Sequence, residues 1–232
     1  MSQEISTVPV PDVACYRLFQ LISPSLPIGG FTYSQGLEFA VEAGWVSDRH
    51  SMEQWLNYMV SSSVATLELP ILDRLYTALE TGDLDAIEYW CDFLYTSRET
   101  SELRAEEKQR GLALNTLLTK LQIDISVTDS ITSHPNQLLG LCIAARHWSI
   151  SVESLKQGYL WSWLENIVTA GVKLIPLGQT DGQLALINIT SSFPQVIVNA
   201  SQIETWMIGS FSPSIALASS LHETQYTRLF RS

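Results

Sequence analysis

The chain has 232 residues, 46% of them hydrophobic and 16% charged, which is typical of a globular protein with a sizeable core. The chain contains 13 Lys and Arg residues and 24 Asp and Glu residues, so the formal net charge is -11. This charge disfavours nucleic acid and anionic membrane surfaces as partners, and it favours basic proteins or cations.

The first segment, residues 1–12, is polar and contains two prolines. It lacks the basic start and apolar core of a signal peptide, and no apolar stretch in the chain reaches the roughly 18 residues of a membrane helix. Cys15, Cys91 and Cys142 are far apart and form no CxxC pair, which predicts buried, reduced thiols. We therefore expect a cytoplasmic protein.

Residues 23–30 (SPSLPIGG) predict a shaped loop, because prolines and paired glycines interrupt a helix. Helical periodicity begins after this loop. Apolar residues then recur every three or four positions and predict one helix face: Met52, Trp55, Leu56, Met59, Val60 and Val64. The pattern continues past Pro70, which a first helical turn tolerates, to Gly82, where we expect the helix to end. Asp83 is the predicted N-cap of the next helix.

Two charged segments follow. Residues 80–92 carry five acids without an intervening base, which predicts a solvated helix start or, as a minority interpretation, a docking strip for a basic partner: Glu80, Asp83, Asp85, Glu88 and Asp92. Residues 98–110 carry charges at helical spacing, with Arg98/Glu102 and Glu106/Arg110 as candidate pairs. Because the apolar stripe from Leu121 continues backward onto Arg110 and Glu107, a partner or polar groove on this face is as plausible as solvent.

The second half is also predicted to be helical. Ser151 is a candidate cap, residues 133–136 (SHPN) a break, and Ser212-Pro213-Ser214 a helix start. Residues 184–200 are rich in β-branched side chains and lean toward strand, but surrounding helices can override that propensity, so we predict helix. No linker divides the chain. The fold prediction is therefore one all-α domain, a multi-helix bundle over residues 1–232.

Sequence motifs for catalysis are missing. None of the four lysines follows a glycine, so there is no phosphate-binding loop of the GxxxxGK[ST] type. The four histidines have no HxxxH or HExxH spacing, and no GxSxG elbow occurs. We predict a non-catalytic protein without cofactor or resident metal, although a transient metal site built from distant residues stays open.

The last segment, residues 222–232 (HETQYTRLFRS), is rich in the residue types that dominate the energetic centres of interfaces. Its candidate anchors are Tyr226, Arg228, Leu229, Phe230 and Arg231. The tail could pack on its own domain or become ordered on another protein. We favour the partner, because a fully exposed tail gains nothing from such side chains.

Four stretches in order resemble the UreF family of urease accessory proteins: residues 18–46 (LFQLISPSLPIGGFTYSQGLEFAVEAGWV), 101–114 (SELRAEEKQRGLAL), 159–183 (YLWSWLENIVTAGVKLIPLGQTDGQ) and 222–232. Together they cover about a third of the chain. The resemblance implies a helical homodimer that binds UreD (also called UreH), recruits the nickel-carrying GTPase UreG and docks on apo-urease. There, GTP hydrolysis accompanies nickel insertion and carbamylation of the active-site lysine.

The resemblance also implies roles for single residues. The tail anchors named above resemble the segment that engages UreD. For UreG, the resemblance points to Glu38 in YSQGLE and to Lys173, Gln179 and Asp181 in VKLIPLGQTDGQ.

Three functions are compatible with these observations. The leading hypothesis is a non-catalytic scaffold for urease maturation. The alternative is a regulator of the UreG GTPase, as an activator or a gate, but the four stretches identify no arginine that could enter the partner's phosphate site. A generic helical interaction module is the third, and it predicts no selectivity for urease partners.

Overall fold

The computed structural model describes residues 13–232, so the predicted polar segment at residues 1–12 lies outside the described part. Within that part all regular structure is helical, which confirms the all-α prediction. The α-helices are α1 (Val13–Ile22), α2 (Leu37–Glu42), α3 (Arg49–Met59), α4 (Leu69–Thr81), α5 (Leu84–Thr96), α6 (Ser101–Lys120), α7 (Gln137–His147), α8 (Val152–Leu174), α9 (Gln179–Thr190), α10 (Phe193–Ser201) and α11 (Pro213–His222).

The predicted boundaries follow from local chemistry. Gly82 ends α4 in the left-handed conformation, with φ of 70°, and Asp83 caps α5 by accepting a hydrogen bond from the Ala86 amide. Ser151 caps α8 in the same way through the Ser154 amide. Residues 23–29 are irregular, as their prolines and glycines predict, and lead into a short 3₁₀ turn at Gly30–Thr32.

α3 and α4 form one continuous helical rod through a π-helical segment, Val60–Glu68. A π-helix is wider than an α-helix and shifts the register of the side chains that follow. Glu68, at the end of the segment, is 3% exposed and points into the interior. The apolar face predicted from Met52 onward is buried, apart from a partly exposed Trp55.

α8 is the central helix of the described chain and packs against α1, α2, α4, α7, α9 and α10. Its glycines permit close approach. At Gly171 a Cβ would lie 2.4 Å from the Met52 sulfur, and at Gly158 it would lie 2.7 Å from Leu18 Cδ1. One apolar core extends from Ala14 to Ile215 around this helix.

The β-branched stretch at residues 184–200 is helical, as predicted against its propensity. It forms the second half of α9 and most of α10, with a turn at residues 191–192. Ala185 and Ile189 are completely buried, so tertiary packing outweighs the small preference for strand.

The prediction of three buried thiols is wrong for Cys15, which is exposed, and right for Cys91 and Cys142. Burial raises the pKa of the Cys91 thiol to about 11. The acidic segment is mostly exposed, as its default interpretation predicts, and Glu88 accepts hydrogen bonds from the Thr132 amide and hydroxyl.

Candidate partner-binding surfaces

Four charged residues of the segment at residues 98–110 belong to a buried ion network: Arg98, Glu106, Glu107 and Arg110. For these four, the polar-groove interpretation is right and the solvent and partner interpretations are wrong, whereas Glu99 and Lys108 are exposed. Arg98 lies before α6 and contacts Glu68 and Glu107, each at 2.7 Å, instead of the predicted Glu102. The predicted Glu106–Arg110 pair forms at 2.8 Å, with both residues buried. The apolar stripe of α6 turns polar here because the facing surface of the interior is polar as well.

Pairing stabilises these charges in the interior. Burial by itself lowers the pKa of the Arg98 guanidinium, but Glu68 and Glu107 outweigh it and hold the pKa well above the usual value. Burial and then the neighbouring Glu68 carboxylate raise the pKa of Tyr159, whose hydroxyl donates to Glu68 at 2.5 Å. Arg98 is therefore a fixed cation, and Tyr159 is a fixed neutral donor.

Gln35 connects this network to the largely buried loop of residues 33–36. Its side-chain amide donates to Glu106 at 2.9 Å, and its carbonyl oxygen accepts from the Trp163 indole at 3.0 Å. The backbone at Gln35 has φ of 52°, an unusual conformation for a residue other than glycine. The geometry directs the backbone amides of Ser34 and Gln35 toward the tail.

The part of the tail that follows α11, residues 223–232, is bound to its own chain. Ser34 and Gln35 donate their amides to the Ser232 backbone oxygen at 2.6 and 2.9 Å, and Arg231 donates its amide to Thr32 at 2.9 Å. Ser232 and Phe230 are buried, at 0% and 8% exposure. The expectation that the tail becomes ordered only on a partner is therefore wrong, because the chain itself supplies acceptors, donors and a site for Phe230.

Two carboxylates hold the middle of the tail. Glu38 of α2 accepts from the amides of Leu229 and Phe230 at 2.7 and 3.0 Å. Glu102 of α6 lies 2.5 Å from the Arg228 guanidinium. Two helices, α2 and α6, thus hold backbone amides and the Arg228 side chain of the tail in place. Some other side chains of the tail point away from these helices.

The large hydrophobic side chains of the tail that face outward are Tyr226 and Leu229, which are 102% and 73% exposed. On the adjoining helix α11, Leu217 and Leu221 are exposed as well. The fixed backbone preorganises these side chains for a partner, since little backbone conformational entropy remains to be lost on binding.

A second surface lies where α8 meets α9. Lys173 and Gln179 are exposed and line one cavity of about 110 Å³, together with Glu165 and Gln183. Asp181 is partly exposed and lies 3.8 Å from Arg49 of α3. Burial raises the pKa of Glu165. The lining of this cavity carries charges of both signs, from Lys173 and Glu165.

A third surface is an open apolar hollow of about 420 Å³ between α8 and the α9–α10 junction. Its lining carries no charge and consists of Gln157, Trp161, Thr190, Phe193, Pro194 and Ile197. Nearby on α9 and α10, Ile187 and Val198 are 66% and 50% exposed.

A UreF family model matches residues 46–190. The urease accessory protein UreF of Alcanivorax borkumensis is 48% identical over 94% of this chain and 98% of its own length. The protein of that name from Pseudomonas putida strain W619 is also 48% identical, over 95% of this chain and 99% of its own. For Alkalilimnicola ehrlichii the identity is 43%, over 98% of this chain and 100% of the relative. The chain belongs to the UreF family.

The relatives are named urease accessory proteins, and membership in their family supports an accessory role for this chain. In residues 13–232, no group of three or more His, Cys, Asp or Glu side chains is arranged to hold a metal ion. None of the helices described is both long and apolar enough to cross a bilayer.

The residues that the UreF resemblance suggested fall into two groups. Lys173 and Gln179 line the same cavity at the α8–α9 surface, whereas Asp181, in the first turn of α9, lies outside its lining and 3.8 Å from Arg49. Glu38 does not belong with them, since it is 5% exposed and its carboxylate holds the tail. A direct contact between Glu38 and a partner would require the tail to leave.

Sequence reasoning missed three residues of this UreF chain that organise the tail and network: Gln35, Glu68 and His222. Glu68 lies within an apolar helix face, a signal that could have marked it as a buried charge. His222 could be recognised only as the first residue of the tail, and nothing in the sequence indicated that Gln35 bridges Trp163 and Glu106.

Proposed function

We propose that this chain is a non-catalytic scaffold of urease maturation that binds UreD through its docked tail and UreG through the α8–α9 surface. The observation that carries the proposal is the arrangement of the tail. Its backbone is fixed by Glu38 and the Ser34–Gln35 amides, while Tyr226 and Leu229 point into solvent. The scaffold would then bring the GTPase to apo-urease, where nickel is inserted.

The proposed UreD surface extends from the tail onto α11. Tyr226 and Leu229 supply large apolar contacts, and Leu217 and Leu221 extend the apolar area. Arg228 lies at the edge of this surface, 38% exposed at its side chain, and is already oriented by Glu102. Such an apolar centre with an arginine at its edge has the composition of an interface hot spot.

The proposed UreG surface rests on Lys173, Gln179 and Asp181. Lys173 lies in the last turn of α8, where a cation is also favoured by the helix dipole, and Asp181 lies in the first turn of α9. Both charges are accessible and are held at neighbouring helix ends. A partner that presents complementary charges can therefore be recognised without rearrangement of the fold.

We also propose that the chain forms a homodimer through the apolar hollow around Trp161. Two copies with a net charge of -11 repel each other, so they can approach best through a face without charges. The hollow is such a face, and a two-fold axis would bury the same residues from both copies.

A binding experiment tests the proposed function. Tyr226→Ala/Leu229→Ala should fold normally, because both side chains are exposed, and should lose capture of UreD and activation of urease in cells. The matched control is Tyr89→Ala/Leu84→Ala, which removes exposed apolar side chains from α5, 54% and 43% exposed. If the tail variant still binds UreD as the control does, the proposed tail interface is wrong.

A further inference from the structure

His222, the last residue of α11, is completely buried, and each nitrogen of its ring faces a carboxylate. Nδ1 lies 2.7 Å from Glu102 Oε2, and Nε2 lies 3.1 Å from Glu38 Oε2. These are the two carboxylates that hold the tail. The imidazole therefore lies between the two points at which the tail is attached.

Counting donors gives the protonation of this group. An ionised carboxylate only accepts hydrogen bonds, and a neutral imidazole carries a single N–H. Both ring contacts can be hydrogen bonds only when the three groups share one additional proton. Glu38 accepts two backbone amides and Glu102 contacts the Arg228 guanidinium, and both arrangements favour ionised carboxylates, so the geometry places this proton on His222 as a second N–H. Without that proton, one ring nitrogen would direct its lone pair at a carboxylate oxygen in a site without solvent.

The other charged groups around the ring are accounted for. Arg228 of the tail contacts Glu102 from the far side, at 2.5 Å. Glu223 directs its carboxylate at the amide and hydroxyl of Ser101 and at the Glu102 amide. On the Glu38 side, the tail contributes only the backbone amides of Leu229 and Phe230.

We propose that His222 is the positioning residue of the tail and that it acts as an imidazolium, so that tail docking depends on pH. The proton-bound form joins Glu38 and Glu102 and keeps both carboxylates in place for the tail. As pH rises and the proton leaves, one of the two hydrogen bonds is lost, and docking weakens. The consequence for UreD binding rests on the function proposed above, whereas docking itself does not.

The first measurement is made on the chain alone. With ¹⁵N-labelled histidine, both ring nitrogens of His222 should have N–H shifts at neutral pH, and His222→Gln assigns the signals. Amide exchange at Leu229 and Phe230, corrected for intrinsic rates, is followed between about pH 5 and 8, where imidazoles titrate. Protection should fall by about tenfold toward the basic end, because one of the two hydrogen bonds that hold Glu38 and Glu102 in place is lost.

Variants separate a charged role from a merely structural one. Glu102→Gln can accept from Arg228 and donate to Nδ1, so a neutral His222 is satisfied, and protection should persist at the basic end. His222→Gln should give weak protection at every pH. His147→Gln, which changes an exposed histidine, should behave like the unmodified chain.

Three results would each overturn the proposal: a His222 ring with a single N–H while the tail is protected, protection that does not change with pH in the unmodified chain, or a tail without protection at any pH. Because UreD is absent from these measurements, they stand or fall separately from the proposed partner interface. Capture of UreD across the same pH range then tests the consequence.

Discussion

Arg98 bridges two carboxylates that come from different parts of the chain, Glu68 at the end of the π-helical segment and Glu107 in α6. Its side chain is 11% exposed, and theirs are 3% and 7% exposed. Removing Arg98 leaves the two carboxylates buried without a counterion. The free energy lost is then larger than the net contribution of the ion pairs themselves.

We predict that Arg98→Met lowers the free energy of unfolding by about 3–5 kcal/mol, as expected for a buried ion pair that loses one partner. Denaturant titration followed by circular dichroism measures it. Lys108→Met, at an exposed position of α6, should change stability by less than about 0.5 kcal/mol. A loss for Arg98→Met no larger than that of the control would mean that the network does not stabilise the fold.

Lys173 allows a second test at the level of single residues. Lys173→Ala should retain its melting temperature within a few degrees, because an exposed cation at a helix end contributes roughly 0.3–1 kcal/mol. Capture of UreG should be lost. Lys120→Ala, in the last turn of α6, makes the same change at another helix end and should leave capture intact. Wild-type capture by the Lys173 variant would contradict the proposed UreG surface.

At the level of elements, the tail belongs to the fold even though it has no regular secondary structure. Its backbone groups find partners in α2 and in the loop at residues 32–35, and the Ser232 hydroxyl donates to Glu106 of α6. Glu38 is the central acceptor, and its burial depends on the tail that covers it. A segment held in this way contributes to stability as well as to binding.

Deletion of residues 224–232 should therefore lower the melting temperature by about 5–15 °C, since several hydrogen bonds of about 1 kcal/mol each disappear. UreD capture should also be lost. Differential scanning calorimetry gives the first quantity and a pull-down the second. Tyr226→Ala, which removes only an exposed ring, should lose affinity for UreD without a change in melting. An unchanged melt for the deletion would show that the tail is not bound in solution.

At the level of the whole molecule, the three proposed binding surfaces lie at different places around one apolar core. The apolar hollow and the Lys173 cavity are adjacent along α8, because Trp161, Glu165, Thr169 and Lys173 recur every four residues on one helix face. A dimer formed at the hollow would therefore bring two proposed UreG surfaces close to its interface.

Trp161→Arg should convert a dimer into a monomer, because the substitution introduces a cation into the uncharged hollow in both copies. Light scattering coupled to size-exclusion chromatography measures the mass. Trp206→Arg is the matched control, since Trp206 is 78% exposed and does not line the hollow. If both variants remain dimers, the interface lies elsewhere.

Local chemistry in the sequence determined the helices and their ends. Apolar spacing predicts the rod through Met52 and Leu56, and Gly82, Asp83 and Ser151 mark boundaries that the structure retains. Side-chain capping and glycine conformation act within a few residues, so the sequence alone is sufficient for them. Membership in the UreF family is likewise a property of residue identity and order, which the four family stretches carry by themselves.

Only the tertiary structure decided what the charged residues do. Spacing assigns Arg98 to Glu102, yet Arg98 pairs with Glu68, 30 residues away. The family resemblance assigns Glu38 to a partner, yet Glu38 accepts from the tail, nearly the whole chain length away. Long-range pairs of this kind depend on which helices meet, and helical periodicity reports only which face is buried and not what lies opposite it.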